Sequence, residues 1–318
     1  MRFDLPLRGA GGEPVDLHRT IRSHGCVKLA PNRVFDGGRR LQFPLGLADG
    51  RTTLVELSPG PGAHVRVDAP GPLRGARVRA ELTTVVRRML RLDADYAAFY
   101  ARAAHDPDLA WVTRGAGRFL RSASAYEDVI KTICTTNCAW SATERMTDAL
   151  VADLGEPVAG AGGVRLFPTP RAMAAAPESW YRDVARAGYR GPYLRAIAAA
   201  AAAGTFDADA LAAASPAELS DDDLAGRLLA LPGVGPYAAA HIMLLMGRYS
   251  RLVLDSWTRP KDAQLRGRRP RSDATIVRRF APYGAFAGLA FWCYVTSDWV
   301  DESAAAIAPR TAGSVSAS

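Results

Sequence analysis

Between about residue 15 and residue 82 the chain alternates short runs of branched and aromatic residues with polar ones. The runs 26–31 (CVKLAP), 39–47 (RRLQFPLGL), 52–58 (TTLVELS) and 63–69 (AHVRVDA) are separated by Asp36-Gly37-Gly38, Asp49-Gly50 and Pro59-Gly60-Pro61-Gly62. A period of two cut by such turn residues predicts an antiparallel sheet, with helix packed on one of its faces. From residue 83 the period lengthens. Residues 83–92, 95–104, 124–138, 141–154, 193–203, 221–231, 236–247 and 286–299 place apolar side chains three and four apart, which predicts helices. Gly and Pro punctuate them at 155–157, 168–170, 188–192 and 232–236. The stretch 259–271 (RPKDAQLRGRRPR) is too polar to bury and predicts an exposed basic loop. The pattern is that of an α+β chain. Residues 1–90 form an antiparallel sheet domain, 91–307 an all-helical core with short connections, and 308–318, small and polar, a disordered tail.

Composition narrows the functional classes. A length of 318 residues suits about two domains, and 48% hydrophobic with 23% charged residues suits a buried core, which excludes wholesale disorder and collagenous builds. No run approaches the ~20 apolar residues that span a bilayer, and the start, MRFDLPLRGAGGEP, lacks the apolar centre of a signal peptide. A cytoplasmic protein with no membrane partner is therefore expected. Lys and Arg number 40 against 32 Asp and Glu, a formal charge of +8, and only Lys28, Lys131 and Lys261 are lysines. Arginine forks onto phosphate bidentately, so the excess suits a polyanion, although a solvated surface gives the same count. The cysteines, Cys26, Cys134, Cys138 and Cys293, are too few and scattered for a disulfide framework. Cys134 and Cys138 share a CxxxC spacing with no neighbouring His or Cys to complete a metal site.

The densest chemistry lies in residues 221–259. Two helices are joined by Leu231-Pro232-Gly233-Val234-Gly235-Pro236, with a proline at the first position of the second helix. Bare of side chains, such a helix start can turn the N–H groups of Val234 and Gly235 outward, where they attract phosphate. A tight turn with Leu231 and Val234 packed inward is the plainer alternative. After the second helix an extended run, 251–254 (RLVL), ends in Asp255.

This order of LPGVG turn, helix, extended run and aspartate resembles the signature of the helix-hairpin-helix DNA glycosylase superfamily, and further matches point to its 8-oxoguanine and 3-methyladenine branches. The resemblance implies a TBP-like N-terminal sheet domain followed by an all-α core of two subdomains. It places Asp255 at the mouth of the cleft between them, with Gly233, Val234 and Gly235 gripping phosphates. It also implies a structural monovalent cation on the hairpin carbonyls near Leu231 and Val234, and no other cofactor. Breaking an N-glycosidic bond builds oxocarbenium character on the sugar. A fixed carboxylate stabilises that charge and orients or deprotonates water, the role expected of Asp255. The alternative for Asp255 is an N-cap of the segment after it. Bifunctional members carry a lysine two residues after the last hairpin glycine and cut the strand through a Schiff base; here that position is Tyr237, and Lys261 is the one nearby amine.

Other matches run along most of the chain. Arg22-Ser23-His24-Gly25 looks like the place where a glycine lets backbone approach the flipped base, which makes Gly25 a pocket residue. Residues 133–137 (ICTTN) resemble the helix end that carries an asparagine into the gap left by base flipping, so Asn137 is the candidate wedge, or a plain helix C-cap. Gly188-Tyr189-Arg190 matches a tyrosine that wedges between bases and an arginine that contacts the orphaned partner, or a surface turn before Pro192. Arg259 begins the basic stretch expected on DNA. The departures fall in the pocket. Gly288 aligns where 8-oxoguanine enzymes offer a glutamine, Trp292 with the aromatic that covers the base, His241 with a small stacking residue, and Ser141 or Ala142 with a second arginine. Trp257 follows Asp255 by two residues.

A pocket that has lost hydrogen-bond readout and gained rings favours cationic, alkylated purines. Each of Tyr237, Trp257 and Trp292 would add a cation–π attraction of about 0.5 to 2 kcal/mol, while His241 and the tryptophans are as much at home in a core. The expectation is a monofunctional DNA glycosylase of base excision repair, monomeric and nucleoid-associated, acting on double-stranded DNA that contains a damaged base. An oxidised-purine glycosylase is the alternative within the class, and a non-catalytic hairpin DNA-binding protein is the one outside it.

Overall fold

The computed structural model describes residues 1–267 and 269–299. The tail expected at 308–318, the end of the helical core at 300–307 and Arg268 of the basic stretch lie outside the described residues. Strand β1 (Arg2–Pro6) leads to helix α1 (Leu17–Ile21), a 3-10 turn at Gly25–Lys28, and strands β2 (Arg33–Phe35), β3 (Arg40–Gly46), β4 (Thr52–Pro59) and β5 (His64–Asp68). The strands form one antiparallel sheet in the order β1-β5-β4-β3-β2. Alternate residues of β4 are buried, and the register sets Phe43 against Val55 and Leu57 against Val67. One face is therefore continuously apolar. Helices α1 and α2 (Ala76–Met89) cover it, α2 with Val78, Leu82, Val86 and Met89.

Residues 26–31 do not form the expected strand. Cys26, Val27 and Leu29 are all buried, a crowding that a tight helical turn satisfies and the alternation of a strand does not. Strand β2, with 3 residues, is too short for its period to register in the sequence.

The helical half comprises α3 (Ala97–Ala103), α4 (Ala125–Cys134), α5 (Trp140–Ala149), α6 (Pro170–Ala175), α7 (Glu178–Asp183), α8 (Arg190–Ala202), α9 (Ala208–Ala213), α10 (Asp221–Leu229), α11 (Pro236–Met246), α12 (Thr258–Leu265), α13 (Asp273–Phe280) and α14 (Ala287–Val295). Ser124 and Ser220 cap α4 and α10 by accepting the N–H groups of Glu127 and Asp223. The stretch 259–271 is not an open loop. Most of it is α12, and Arg266 and Arg271 both turn inward to the fully buried Asp262, at 3.2 and 2.6 Å. A carboxylate without water needs such partners.

Two helical cores result. One gathers α4, α8, α10 and one side of α11; the other gathers α3, α13, α14 and the opposite side of α11. Ala238, Ala239, Ile242, Met243 and Met246 face the first, and Ala240, Leu244 and Leu245 the second. A helix shared between two cores must be apolar all round, which is what its sequence shows. Its C-terminal end is anchored by Arg91, whose guanidinium donates to the carbonyls of Phe119, Leu244 and Leu245. Gly247 takes the left-handed φ of 88° at that end, and a Cβ there would stand 2.4 Å from the Arg91 guanidinium. The N-terminal end of α11 is left to form a site.

Candidate active site

A cavity of about 860 Å³ opens at the first turns of α11, between the two helical cores and the 3-10 turn of the sheet half. Asp255 stands on its wall at the end of the extended run, half-buried. Its Oδ1 accepts the N–H groups of Trp257 at 2.8 Å and Thr258 at 2.6 Å, while its own N–H donates to Thr258 Oγ1 at 2.9 Å. This is a reciprocal cap on the start of α12, so the capping alternative weighed from sequence is realised in one oxygen. Oδ2 accepts no hydrogen bond among the described residues and is the oxygen left for chemistry. Gly288 lies behind this arrangement and does not line the cavity, contrary to the expectation that it holds a base-reading position. Its N–H donates to the Tyr249 carbonyl at 2.6 Å, and a Cβ would meet the Arg251 carbonyl oxygen at 2.0 Å. It is a glycine because the run leading to Asp255 packs against it.

Rings make up much of the remaining wall. Tyr237, His241, Trp257 and Trp292 all line the cavity, and so do Trp140 and Trp299, which the sequence reading missed. Trp257, Trp292 and Trp299 have centroids 5.7 to 6.3 Å apart, and Trp292 Nε1 is pinned by donating to the Ser23 carbonyl at 2.8 Å. Gly25 lines the opposite side, where a Cβ would press on the Trp140 ring at 3.2 Å. The Tyr237 hydroxyl shares a hydrogen bond with Thr135 Oγ1 at 3.2 Å, and burial pushes the phenol up to about 12, so it stays protonated. Among the described residues no lysine lines the cavity: Lys131 is buried against Glu127, Lys261 pairs with Asp298, and Lys28 lines a smaller adjoining cavity that shares Gly25, Trp140 and Trp299.

Two buried histidines are neutral, His241 on the cavity wall and His24 behind it. Burial lowers His24 to about 3, with His241 adding to the shift, and lowers His241 to about 4. Because both folded values lie below the unfolded one, the unfolded chain takes up protons first between pH 6.5 and 4, and stability falls as pH falls through that window. Asp128 opposes this: burial raises it to about 6, against the pull of Arg121, so its contribution grows as pH falls below 6. Two imidazoles outweigh one carboxyl, by roughly 2 kcal/mol at pH 5 relative to pH 7. The melting temperature is expected to be several degrees lower at pH 5 than at pH 7, and His241→Gln should make the dependence shallower. A flat melting profile over this range would contradict the neutral, buried histidines.

The candidate DNA-facing residues divide. Gly233 has a left-handed φ of 79°, and a Cβ on it would meet the Tyr193 ring at 2.5 Å. Gly235 has neither constraint: its φ is −93° and nothing lies within 4 Å of where a Cβ would be. Val234 differs from the expectation. Its side chain is buried and its N–H donates inward to the Leu231 carbonyl at 3.2 Å, so only the Gly235 N–H of that pair is available to a phosphate. That bond also occupies the Leu231 carbonyl in part. The turn itself offers a cation only neutral backbone oxygens, a set that suits a monovalent ion rather than a divalent one.

Asn137 is exposed on the cavity rim in the left-handed region, φ 43°, three residues past the end of α4. Tyr189 is half exposed on the same rim. Arg190 is not the outward contact expected of it. It is buried, and its guanidinium donates to the Thr136 carbonyl at 2.9 Å and the Asn137 carbonyl at 2.9 Å, with Tyr189 stacked on it at 4.5 Å. The α4 terminus presents free carbonyls that attract a cation, and Arg190 is spent on them. It positions Asn137 and Tyr189 instead of reaching past them. Arg259 also departs from its expected role: it does not line the cavity, and both ends of its fork engage Asp273, at 2.8 and 2.9 Å.

No protein-family model and no curated protein matches the sequence. Solved structures match its fold. The 3-methyladenine DNA glycosylase from Archaeoglobus fulgidus superposes with a TM-score of 0.71 at 18% identity, over 93% of this chain and 98% of that one. The 8-oxoguanine glycosylase/lyase of Clostridium acetobutylicum in its apo form gives 0.67 at 20% identity, over 90% and 94%. The same enzyme in complex with double-stranded DNA containing cytosine opposite 8-oxoguanine gives 0.63 at 20%, over 82% and 88%. The chain thus has the α+β fold of these proteins along nearly its whole described length.

Proposed function

We propose that the chain is a DNA glycosylase that releases a damaged purine, an alkylated one by preference, by hydrolysis and leaves the strand uncut. The observation that carries this reading is the free Oδ2 of Asp255 on the wall of a ring-lined cavity, beside a helix start whose Gly235 is bare with no internal reason to be. A glycine that neither its φ nor its neighbours require fits the close approach of something from outside, and a phosphate backbone suits an unsatisfied N–H at a helix start. Asn137 and Tyr189, on the rim, would fill the gap left in double-stranded DNA when the base swings into the cavity. The rings of Trp257, Trp292 and Trp299 offer π-faces to a cationic base, and neutral His241 avoids repelling it.

In this reading Asp255 acts on a sugar whose leaving base is already activated by its charge. Oδ1 is tied to α12, so the carboxylate is held rigidly, and Oδ2 faces the developing oxocarbenium ion and the attacking water. With Tyr237 at the hairpin position and no lysine among the described residues of the cavity wall, no amine is placed there to form an imine. A monovalent ion on the hairpin carbonyls of Leu231 and Val234 belongs to the same proposal as a support for the phosphate grip, and the protein would act as a monomer.

The test is a panel of duplexes carrying one methylated, oxidised or deaminated base, analysed with and without alkali and with borohydride. Methylated purines should be released most readily, with strand breaks only after alkali and no trapped adduct. Release of 8-oxoguanine alone would replace the substrate reading, and a borohydride adduct would replace the hydrolytic one. Lesion binding with no release from any duplex would make the protein a non-catalytic binder.

A further inference from the structure

We propose that His24, Cys26 and His241 form a binding site for a single borderline-soft divalent ion of the zinc class at the back of the ring-lined cavity. One ligand atom from each of the three lies within 4.8 Å of the other two, and all three side chains are buried. Cys26 Sγ and His241 Nε2 are 3.9 Å apart. His24 Nε2 faces the Leu120 carbonyl at 2.8 Å. A carbonyl only accepts, so Nε2 carries the proton and Nδ1 presents a lone pair. Metal-bound histidines are commonly held this way, with the far nitrogen donating to a carbonyl.

One buried atom of this ligand set has no hydrogen-bond partner among the described residues, His24 Nδ1, while His241 meets Cys26 through Nε2. An orphaned buried polar atom costs about 1–3 kcal/mol, so His24 Nδ1 asks for an occupant. A water would find nitrogen and a weakly bonding thiol there. Nitrogen and sulfur together are the donors that select a zinc-class ion over magnesium or calcium. Both imidazoles are neutral at pH 7, as ligands must be. The rings are steadied by packing, His24 stacked on Phe119 at 4.8 Å and His241 edge-on to Trp292 at 5.8 Å. Zinc bonds of about 2.0–2.1 Å to nitrogen and 2.3 Å to sulfur set tetrahedral ligands about 3.5 Å apart. Closing onto an ion therefore takes a contraction of about 1 Å, for which the Cys26 Sγ rotor is available.

Cys26 and His241 line the cavity, so an ion held by the three residues would keep its fourth position open to that side. Burial pushes the Cys26 thiol up to about 12, so it is protonated until the ion arrives. As the metal–sulfur bond forms, the S–H proton passes to buffer, and the imidazoles release none. One proton per ion is the result, and the bound ion with one thiolate brings a net charge of +1 to the cavity wall. That charge would oppose a cationic base, a consequence that rests on the function proposed above; the binding does not.

The experiment uses the full chain stripped with chelator. Zn²⁺ titrated against a chromophoric competitor at pH 7 should bind with a stoichiometry of one, with a heat that varies between buffers by one proton. Co²⁺ in its place should give the absorption of a thiolate–cobalt bond. Cys26→Ser and His241→Gln should each weaken binding by roughly 100-fold or more, while Cys293→Ala, a buried cysteine elsewhere, should leave it unchanged. The cobalt spectrum of the unaltered chain keeps the test independent of how the variants fold. Absence of binding, a cobalt spectrum without sulfur, or loss of binding in Cys138→Ser and not in Cys26→Ser would overturn the site.

Discussion

Asp255→Asn is expected to lower base release by roughly 10³- to 10⁴-fold while leaving the fold and lesion binding intact. The expectation depends on the division of labour between the two oxygens. Asparagine keeps an Oδ1 that can accept the N–H groups of Trp257 and Thr258, so the cap on α12 survives. What it removes is the negative charge at Oδ2, the part that stabilises the sugar cation and takes up a proton from water. Asp255→Ala removes both functions and separates them. It should be as inactive as the asparagine variant, and additionally less stable by about 1 kcal/mol, the usual worth of a cap. Excision rates of a methylated duplex under single-turnover conditions, read beside melting temperatures, decide the matter. If the asparagine variant keeps a tenth of the activity, Asp255 is a cap and nothing more.

The path from sequence to site was open where one physical requirement governs one residue. Pro236 at the first position of α11 and the helical apolar spacing of α11 each follow from a local rule, whereas the cleft beside Asp255 came only as what the family resemblance implies. Strands β4 and β5 were legible because each alternates for at least 5 residues, and β3 because its branched and aromatic run is closed by the Asp49-Gly50 turn. Failures arose where a residue's partner is distant in sequence. Nothing near Arg190 says that it will be drawn to the carbonyls of Thr136 and Asn137, 54 and 53 residues away. Arg271 was misread for another reason: its partner Asp262 is close in sequence, but the burial that seals Asp262 from water is set by the tertiary fold. Basic residues read as a DNA surface were thus partly internal. Trp140 and Trp299 had no pattern to betray them, since each stands at an element boundary where periodicity is lost. Gly288 failed for the opposite reason. Its position was inferred from alignment, whereas its need for bareness is the contact with Arg251.

The largest stability effect is expected far from the cavity, at Glu13. Arg118 is fully buried, stacked over the Tyr96 ring at 4.3 Å, and its Nη2 donates to Glu13 Oε1 at 2.5 Å. The same oxygen accepts the Tyr96 N–H at 2.8 Å, at the start of α3. Bare glycines let the loop fold this tightly: a Cβ on Gly9 would lie 2.0 Å from the Arg118 guanidinium. Glu13→Ala therefore leaves a guanidinium in the interior without its counter-charge, a change that costs about 3–5 kcal/mol. Replacing both partners with apolar residues, as in Glu13→Leu with Arg118→Met, removes the stranded charge together with the bond. The double variant should be more stable than Glu13→Ala alone, the non-additivity expected of residues in contact. Denaturant melts of the three proteins measure this directly. The pair joins the loop after β1 to the helical half, and Gly25 and Cys26 from the first half share the cavity with Asp255 from the second. Glu13→Ala should accordingly reduce base release at temperatures well below its own melting point, because the two walls are no longer held in register. A loss below 1 kcal/mol would mean that water reaches Arg118, and that the two halves are joined mainly by apolar contact and by Arg91.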